Sequence, residues 1–528
     1  MKEPMEDGGT RGFRRLRGRL PALLAAVLAS ASPLPAQRAT EVAGVRRWTA
    51  SHEGDVVGLL RRLLEIPNVA ADPAGLRANA DTIRAWLAAR GVDARLLDDA
   101  GGPPLVYGEL RAPGARRTLL LYAHYDGQPV APAQWIGTTP FRPVLRAGPL
   151  DTSPAILPWP ADGRYAPDWR IFGRSASDDK APIAAMLAAL DALRAAGTRP
   201  AMNLKFLFEG EEEAGSPHLE AALRQHASLL KSDIAIVADG PVHPSGRPTV
   251  SFGARGIATG EVTVYGATRP LHSGHYGNWA PNPAERLAAL LAAMKDSTGR
   301  VLIPGWYDGM APIGPLERAA LDALAALPDN EAERRELGIA QPLGGGDPPR
   351  TRWEMVLYPS LNVDGLRSAF TGREARTIVP DQAVASLDFR LVAGIRPADQ
   401  LRRFTDFVRA QGYFVVDSVP DLPTRLAHPR LARVQLSAGY PAVRTPLDDP
   451  VARGVVAALR GVAGDSLVII PTMGGSVPGY VFPELVGATY VGLPIVNPDN
   501  NQHAENENLR LGNLFDGVAI FAAVMRMR

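Results

Sequence analysis

The chain has 528 residues, 46% hydrophobic and 21% charged, with 57 Lys and Arg against 55 Asp and Glu for a formal charge of +2. This composition excludes disorder and low-complexity scaffolds, provides core for several domains, and gives no electrostatic basis for nucleic-acid binding. There is no cysteine. Disulfides, thiolate metal sites and cysteine nucleophiles are therefore excluded, and any metal must rest on the nine histidines and the carboxylates.

Residues 1–20 carry Lys2, Arg11, Arg14, Arg15, Arg17 and Arg19 against Glu3, Glu6 and Asp7, and the apolar run LPALLAAVLASA follows. A basic segment, a short apolar stretch and small residues predict a secretory signal peptide over 1–37, cleaved after Ala31 or Ala36. The run falls short of the about 20 apolar residues a membrane span needs. A secreted or periplasmic protein without a stable membrane anchor is expected. Removal of the leader takes away six positive and three negative charges and leaves the remainder near −1.

From about residue 48 helical and strand patterns alternate. RANADTIRAWLAARG (77–91) has helical spacing and a glycine stop, TLLLYAHYD (118–126) is a continuous apolar strand, and KAPIAAMLAALDALRAAG (180–197) is a helix. MNLKFLFEG (202–210) and SDIAIVADG (232–240) add strands. The alternation predicts an α/β fold, a doubly wound mixed sheet forming a catalytic domain. Near 252 the character changes to GEVTVYG (260–266), the amphipathic PAERLAALLAAM (283–294) and AVASLDFRLV (383–392), with the loop GGGDPP between. Residues 252–395 are therefore expected to form an inserted α+β lid or dimerisation domain between catalytic parts 38–251 and 396–528. In the second part, 397–412 and 449–464 read as helices and 484–494 as buried strand.

The chemistry-bearing residues sit just past the apolar strands, where open α/β sheets bind ligands. His124 and Asp126 end one strand, Asp178 and Asp179 precede a helix, Glu209, Glu211, Glu212 and Glu213 follow FLF, Asp239 closes IAIV, and His503 lies in NQHAENENL. Taken singly they read blandly: a structural histidine, a helix N-cap, a solvated acidic run, a polar loop. Taken together they supply imidazoles and carboxylates at the strand ends of one sheet, an inventory suited to two zinc-type ions.

The motifs AHYD, GRSASDDKA, EGEEEAGS, VADG, LHSGHYG, GGSVPGY and HAENE occur in that order. In this order they resemble the M20 metallopeptidases, particularly the carnosinase-like dipeptidase and carboxypeptidase branch, over essentially everything from residue 48 on. The resemblance implies that Asp178 bridges two divalent ions, zinc with manganese or cobalt as alternatives. His124 and Asp239 complete one ion, and Glu213 and His503 the other. It implies Glu212 as general base, Asp126 as the residue orienting His124, and His272 as an oxyanion donor that reaches a partner subunit's site in a homodimer. It further implies that Arg390 binds the substrate's terminal carboxylate, with Gly475 and Ser476 as additional contacts. The implied substrate is a dipeptide or the carboxyl end of a short peptide. An N-acyl amino-acid deacylase is the alternative within the hydrolases, and an inactive binding protein the alternative outside them. Two departures stand out: Ser175 and Ala181 replace family glycines, and Glu505 adds an acid to the late motif.

Overall fold

The computed structural model describes residues 34–98, 101–327, 329–343 and 351–527. The leader expected over 1–37 thus falls almost wholly outside the described residues. So does the whole of the glycine-rich GGGDPP stretch.

An eight-stranded sheet forms the first unit, in the order Asp93–Leu97, Leu105–Leu110, Asn203–Glu209, Thr118–His124, Ile234–Val237, Thr489–Gly492, Thr249–Ser251, Val468–Ile470. Its centre is parallel: Thr118–His124 runs parallel to both Asn203–Glu209 and Ile234–Val237, and Ile234–Val237 to Thr489–Gly492. Antiparallel pairs lie towards both edges. The sheet is mixed, and the apolar runs explain why it is covered on both faces. Along Thr118–His124, Leu119, Leu121 and Ala123 enter one core while Leu120 and Tyr122 enter another. Period-two alternation with no polar face leaves no side of the strand for water. The larger core holds the helices Glu53–Leu64, Pro73–Ala88, Lys180–Ala195, Pro450–Ala463 and Leu511–Met525. The opposite core holds residues of Leu219–Gln225 and of the turn around Phe482.

A second sheet has the order Ser360–Arg367, Gln382–Leu391, Gly253–Tyr265, Leu431–Tyr440, Phe414–Val416. Its thirteen-residue central strand Gly253–Tyr265 also pairs, at Gly253 and Ala254, with Val443–Arg444 and, at Ala254 and Arg255, with Met473–Ser476. That strand therefore ties the two units together. Here the expected boundary at 396 needs correction. The helix Pro397–Ala410 packs Leu401, Phe404, Phe407 and Val408 into the core of the second sheet, and Leu431–Tyr440 pairs with its central strand. The chain rejoins the first unit's cores from Val443 and Leu447 onward, and the helix Pro450–Ala463 completes the return. Amphipathic spacing fixes which face of a helix is buried, not which sheet receives it.

Candidate metal centre

Three parallel strands end side by side, and their ends carry the centre. His124 closes its strand opposite Glu209, and Asp239 lies two residues beyond Ile234–Val237. His124 is fully buried, with Nδ1 turned to Asp126 Oδ1 at 3.3 Å and Nε2 to Asp178 Oδ1 at 2.9 Å. A carboxylate on one ring nitrogen fixes the ring and leaves the other for a ligand position. Asp126 also accepts the backbone N–H groups of Glu212 (3.1 Å) and Glu213 (2.9 Å). One buried carboxylate thus orients the histidine and the glutamate turn together.

Asp178 is the hub. While Oδ1 faces His124, Oδ2 faces His503 Nε2 at 3.0 Å, and His503 lies 3.4 Å from Glu213 Oε2. Ligand atoms of His124, Asp178 and Asp239 fall within 4.8 Å of one another, and so do those of Asp178, Glu213 and His503. Glu213 receives a 2.7 Å hydrogen bond from Gln128, and Glu212 lies 4.0 Å from His124 Nε2.

The electrostatics follow from crowding. Burial first, and then the Asp178 charge, push Glu213 up to about 7 and Asp239 up to about 6. Burial, with Asp239 and Asp178 beside it, raises Glu212 well above the ordinary carboxylate range. Burial works to raise Asp178, but hydrogen bonds from His124 and His503 hold it far below that range. His503 rises to about 9, chiefly through its bond to Asp178. Burial depresses His124, yet Asp126 and Asp178 raise it on balance. Three carboxylates and two imidazoles converging in two triads through one shared aspartate are a donor set that fits a pair of divalent cations.

The support beneath this set was missed in the sequence. Glu507, fully buried, accepts the backbone N–H of Ser175, Ser177 and Asp178 at 2.9 Å each, and the Arg174 guanidinium at 2.9 Å. It shapes the loop that presents Asp178. Its one legible signal is its place at the end of HAENE, directly before the buried strand Asn508–Arg510. Asp179, read as an N-cap, makes no cap bond; its Oδ2 accepts the His124 backbone N–H at 3.2 Å instead. The Asp178–Asp179 peptide is cis.

The departures from the family glycines resolve simply. Ser175 adopts φ +62, a left-handed conformation that suits glycine. Its hydroxyl compensates by accepting from Asn68 Nδ2 at 2.8 Å and donating to Asp126 O at 3.3 Å. Ala181 is fully buried in its helix. Glu505 belongs to neither ligand triad.

The remaining candidates lie on the second sheet and its junction. Arg390 donates to Ser476 Oγ at 2.8 Å and pairs with Asp388 at 3.3 Å, and exposed Gly475 adjoins Ser476. His272 is exposed; its Nδ1 accepts the Gly274 N–H at 3.1 Å and its ring lies 4.6 Å from that of His275. These contacts are local, and neither ligand triad includes His272.

The family model for peptidase family M20/M25/M40 matches residues 120–527. The chain belongs to the M20 family. It is 27% identical over 426 residues to the Cys-Gly metallodipeptidase dug1 of Schizosaccharomyces pombe, covering 79% of this chain and 81% of that one. It is likewise 27% identical over 429 residues to the human Beta-Ala-His dipeptidase, covering 80% and 76%. The solved M20 metallo-carboxypeptidase of Sulfolobus solfataricus superposes with a TM-score of 0.72 at 27% identity, over 89% of this chain and 98% of that one. Human carnosine dipeptidase 1 superposes at 0.67 and 23% identity over 92% and 98%, a likeness of fold. The M20 membership makes this chain a peptidase, and the two triads are its candidate metal ligands.

Proposed function

We propose that the chain hydrolyses the peptide bond of dipeptides, or the C-terminal bond of short peptides, with two divalent ions, zinc before manganese or cobalt. The observation that carries this is Asp178, whose two oxygens face one triad each, with Glu212 4.0 Å from His124 Nε2. Two ions held by His124, Asp178, Asp239, Glu213 and His503 would acidify an attacking water and polarise the scissile carbonyl. Glu212 takes the water's proton on its carboxylate and returns it to the departing amine. Asp126 keeps the His124 ring and the Glu212–Glu213 turn in register during that transfer. Arg390, steered by Asp388 and Ser476, receives the substrate's terminal carboxylate, with Gly475 leaving room beside it. The dipeptidases among the relatives favour this substrate size.

His272 is proposed to donate to the oxyanion of the partner subunit's site in a homodimer formed through the second sheet. Two features support that arrangement. Among the described residues His272 is exposed and engaged only locally, and Ser360–Arg367 is an edge strand with exposed Val363 and Leu366. The leader reading keeps export and signal cleavage within the proposal. Among the described residues no helix is long and apolar enough to cross a membrane.

The test is a panel of dipeptides and N-acyl amino acids offered to the purified chain with and without chelator. Chelator-sensitive dipeptide hydrolysis supports the reading, and turnover confined to N-acyl amino acids replaces it with a deacylase. Mixing Glu212→Gln with His272→Ala protein tests the shared site. Recovered activity is expected, and no recovery removes the trans role of His272.

A further inference from the structure

The second sheet places in the row of Arg390 a side chain that no motif announces. Arg390 and Tyr440 flank the same residue, Ile257, from opposite sides in antiparallel register. Antiparallel partners place their side chains on a common face. One row across the sheet therefore runs from the proposed carboxylate anchor to Tyr440. The register slips between Ile257 and Thr259, where the Tyr440 strand bulges. Gly439 forms that bulge with φ +50, and any Cβ there would collide with the Ile257 carbonyl oxygen. Bulges beside active sites re-aim the next side chain.

The ring so aimed is held. It stacks against Tyr480, centroids 6.4 Å apart and planes 16° from parallel, and Tyr480 is itself tied to Glu220 by a 2.7 Å hydrogen bond. Tyr440 is partly buried, and its hydroxyl has no hydrogen-bond acceptor among the described residues. Burial first, then the charges of Glu212 and Asp239, raise its pKa, with Arg390 opposing. Burial thus keeps the phenol protonated, a neutral O–H donor on the face of the sheet that carries Arg390. In a dipeptide bound with its attacked carbonyl at the metal centre and its terminal carboxylate at Arg390, the scissile amide spans the two ends. Its carbonyl oxygen is the acceptor that this donor lacks.

Resting on the peptidase reading above, we propose that Tyr440 is a catalytic residue whose hydroxyl hydrogen-bonds the scissile carbonyl oxygen and strengthens that bond as negative charge develops. The proton stays on the phenol. Tyr440 supplies an oxyanion donor from within the same chain, independent of any donor from a partner.

Tyr440→Phe keeps the stacked ring and removes only the donor. Its kcat is expected to fall on the order of 10²-fold with KM little changed, while bound metal stays at the wild-type level. Affinity for a phosphinic dipeptide analogue should fall by a similar factor, since the analogue carries the developing charge. A kcat within about twofold of wild type overturns the assignment, and so does a loss confined to KM. If the Phe variant folds poorly, 3,5-difluorotyrosine at position 440 acidifies the phenol and keeps its shape. The alkaline limb of the kcat profile then moves to lower pH, and an unmoved limb overturns the role. The wild-type rate reports on the peptidase reading and the variant-to-wild-type ratio on Tyr440, so the two fail separately.

Discussion

Glu507 illustrates how much of this site is made by residues that touch no reactant. A carboxylate with four donors converging on it, three from the loop that ends at Asp178 and one from Arg174, is the reason that loop has a shape. Glu507→Ala strands a buried guanidinium and three N–H groups, so a loss of about 3–5 kcal/mol is expected. Denaturant unfolding measures it, and metal content should fall with it because Asp178 is no longer presented. Asp126→Ala acts more narrowly. It frees the His124 ring and the Glu212–Glu213 turn, so metal affinity should drop about 10–100-fold, read by competition with a chromogenic chelator. The metal-ligand candidates were legible because liganding residues sit in short ordered motifs at strand ends. Glu507 was not, because gathering backbone N–H groups leaves no mark on composition or spacing. Tyr440 was not, because its direction depends on a one-residue bulge that only strand pairing reveals.

At the scale of elements, the apolar runs 118–126, 202–210 and 232–240 read directly as the parallel centre of the sheet, since strands covered on both faces must be apolar throughout. The helix at 397 was equally visible as a helix, yet its partner was not. Phe404 and Phe407 mark a buried face, and only the structure shows that this face meets Phe389 on the second sheet, with the Phe389 and Phe404 ring centroids 5.1 Å apart. Phe404 is fully buried. Phe404→Ala should therefore cost about 3–5 kcal/mol. Hydrogen exchange localises the damage: lost protection is expected in Gly253–Tyr265 and Gln382–Leu391, with Thr118–His124 protected as before. Deprotection of the first sheet instead would return this helix to the unit that the sequence suggested.

For the whole molecule, the two units have separate demands. The first sheet concentrates acids that burial and mutual repulsion push up, so bound cations should hold its strand ends together and raise the unfolding temperature with free metal concentration. The second sheet carries Arg390 and Tyr440 in one row across the strand Gly253–Tyr265, and the exposed edge of that sheet supports the proposed pairing of subunits. On the proposed reading, binding and hydrolysis depend on the junction between the units. The central claim, that Asp178 joins two triads into one hydrolytic centre, is tested most directly by titrating metal into the chelator-stripped protein while following dipeptide hydrolysis. Two equivalents per chain are expected, with full activity only after the second, and Asp178→Asn should abolish that activity. Full hydrolysis in the stripped protein, or undiminished hydrolysis by Asp178→Asn, would contradict it.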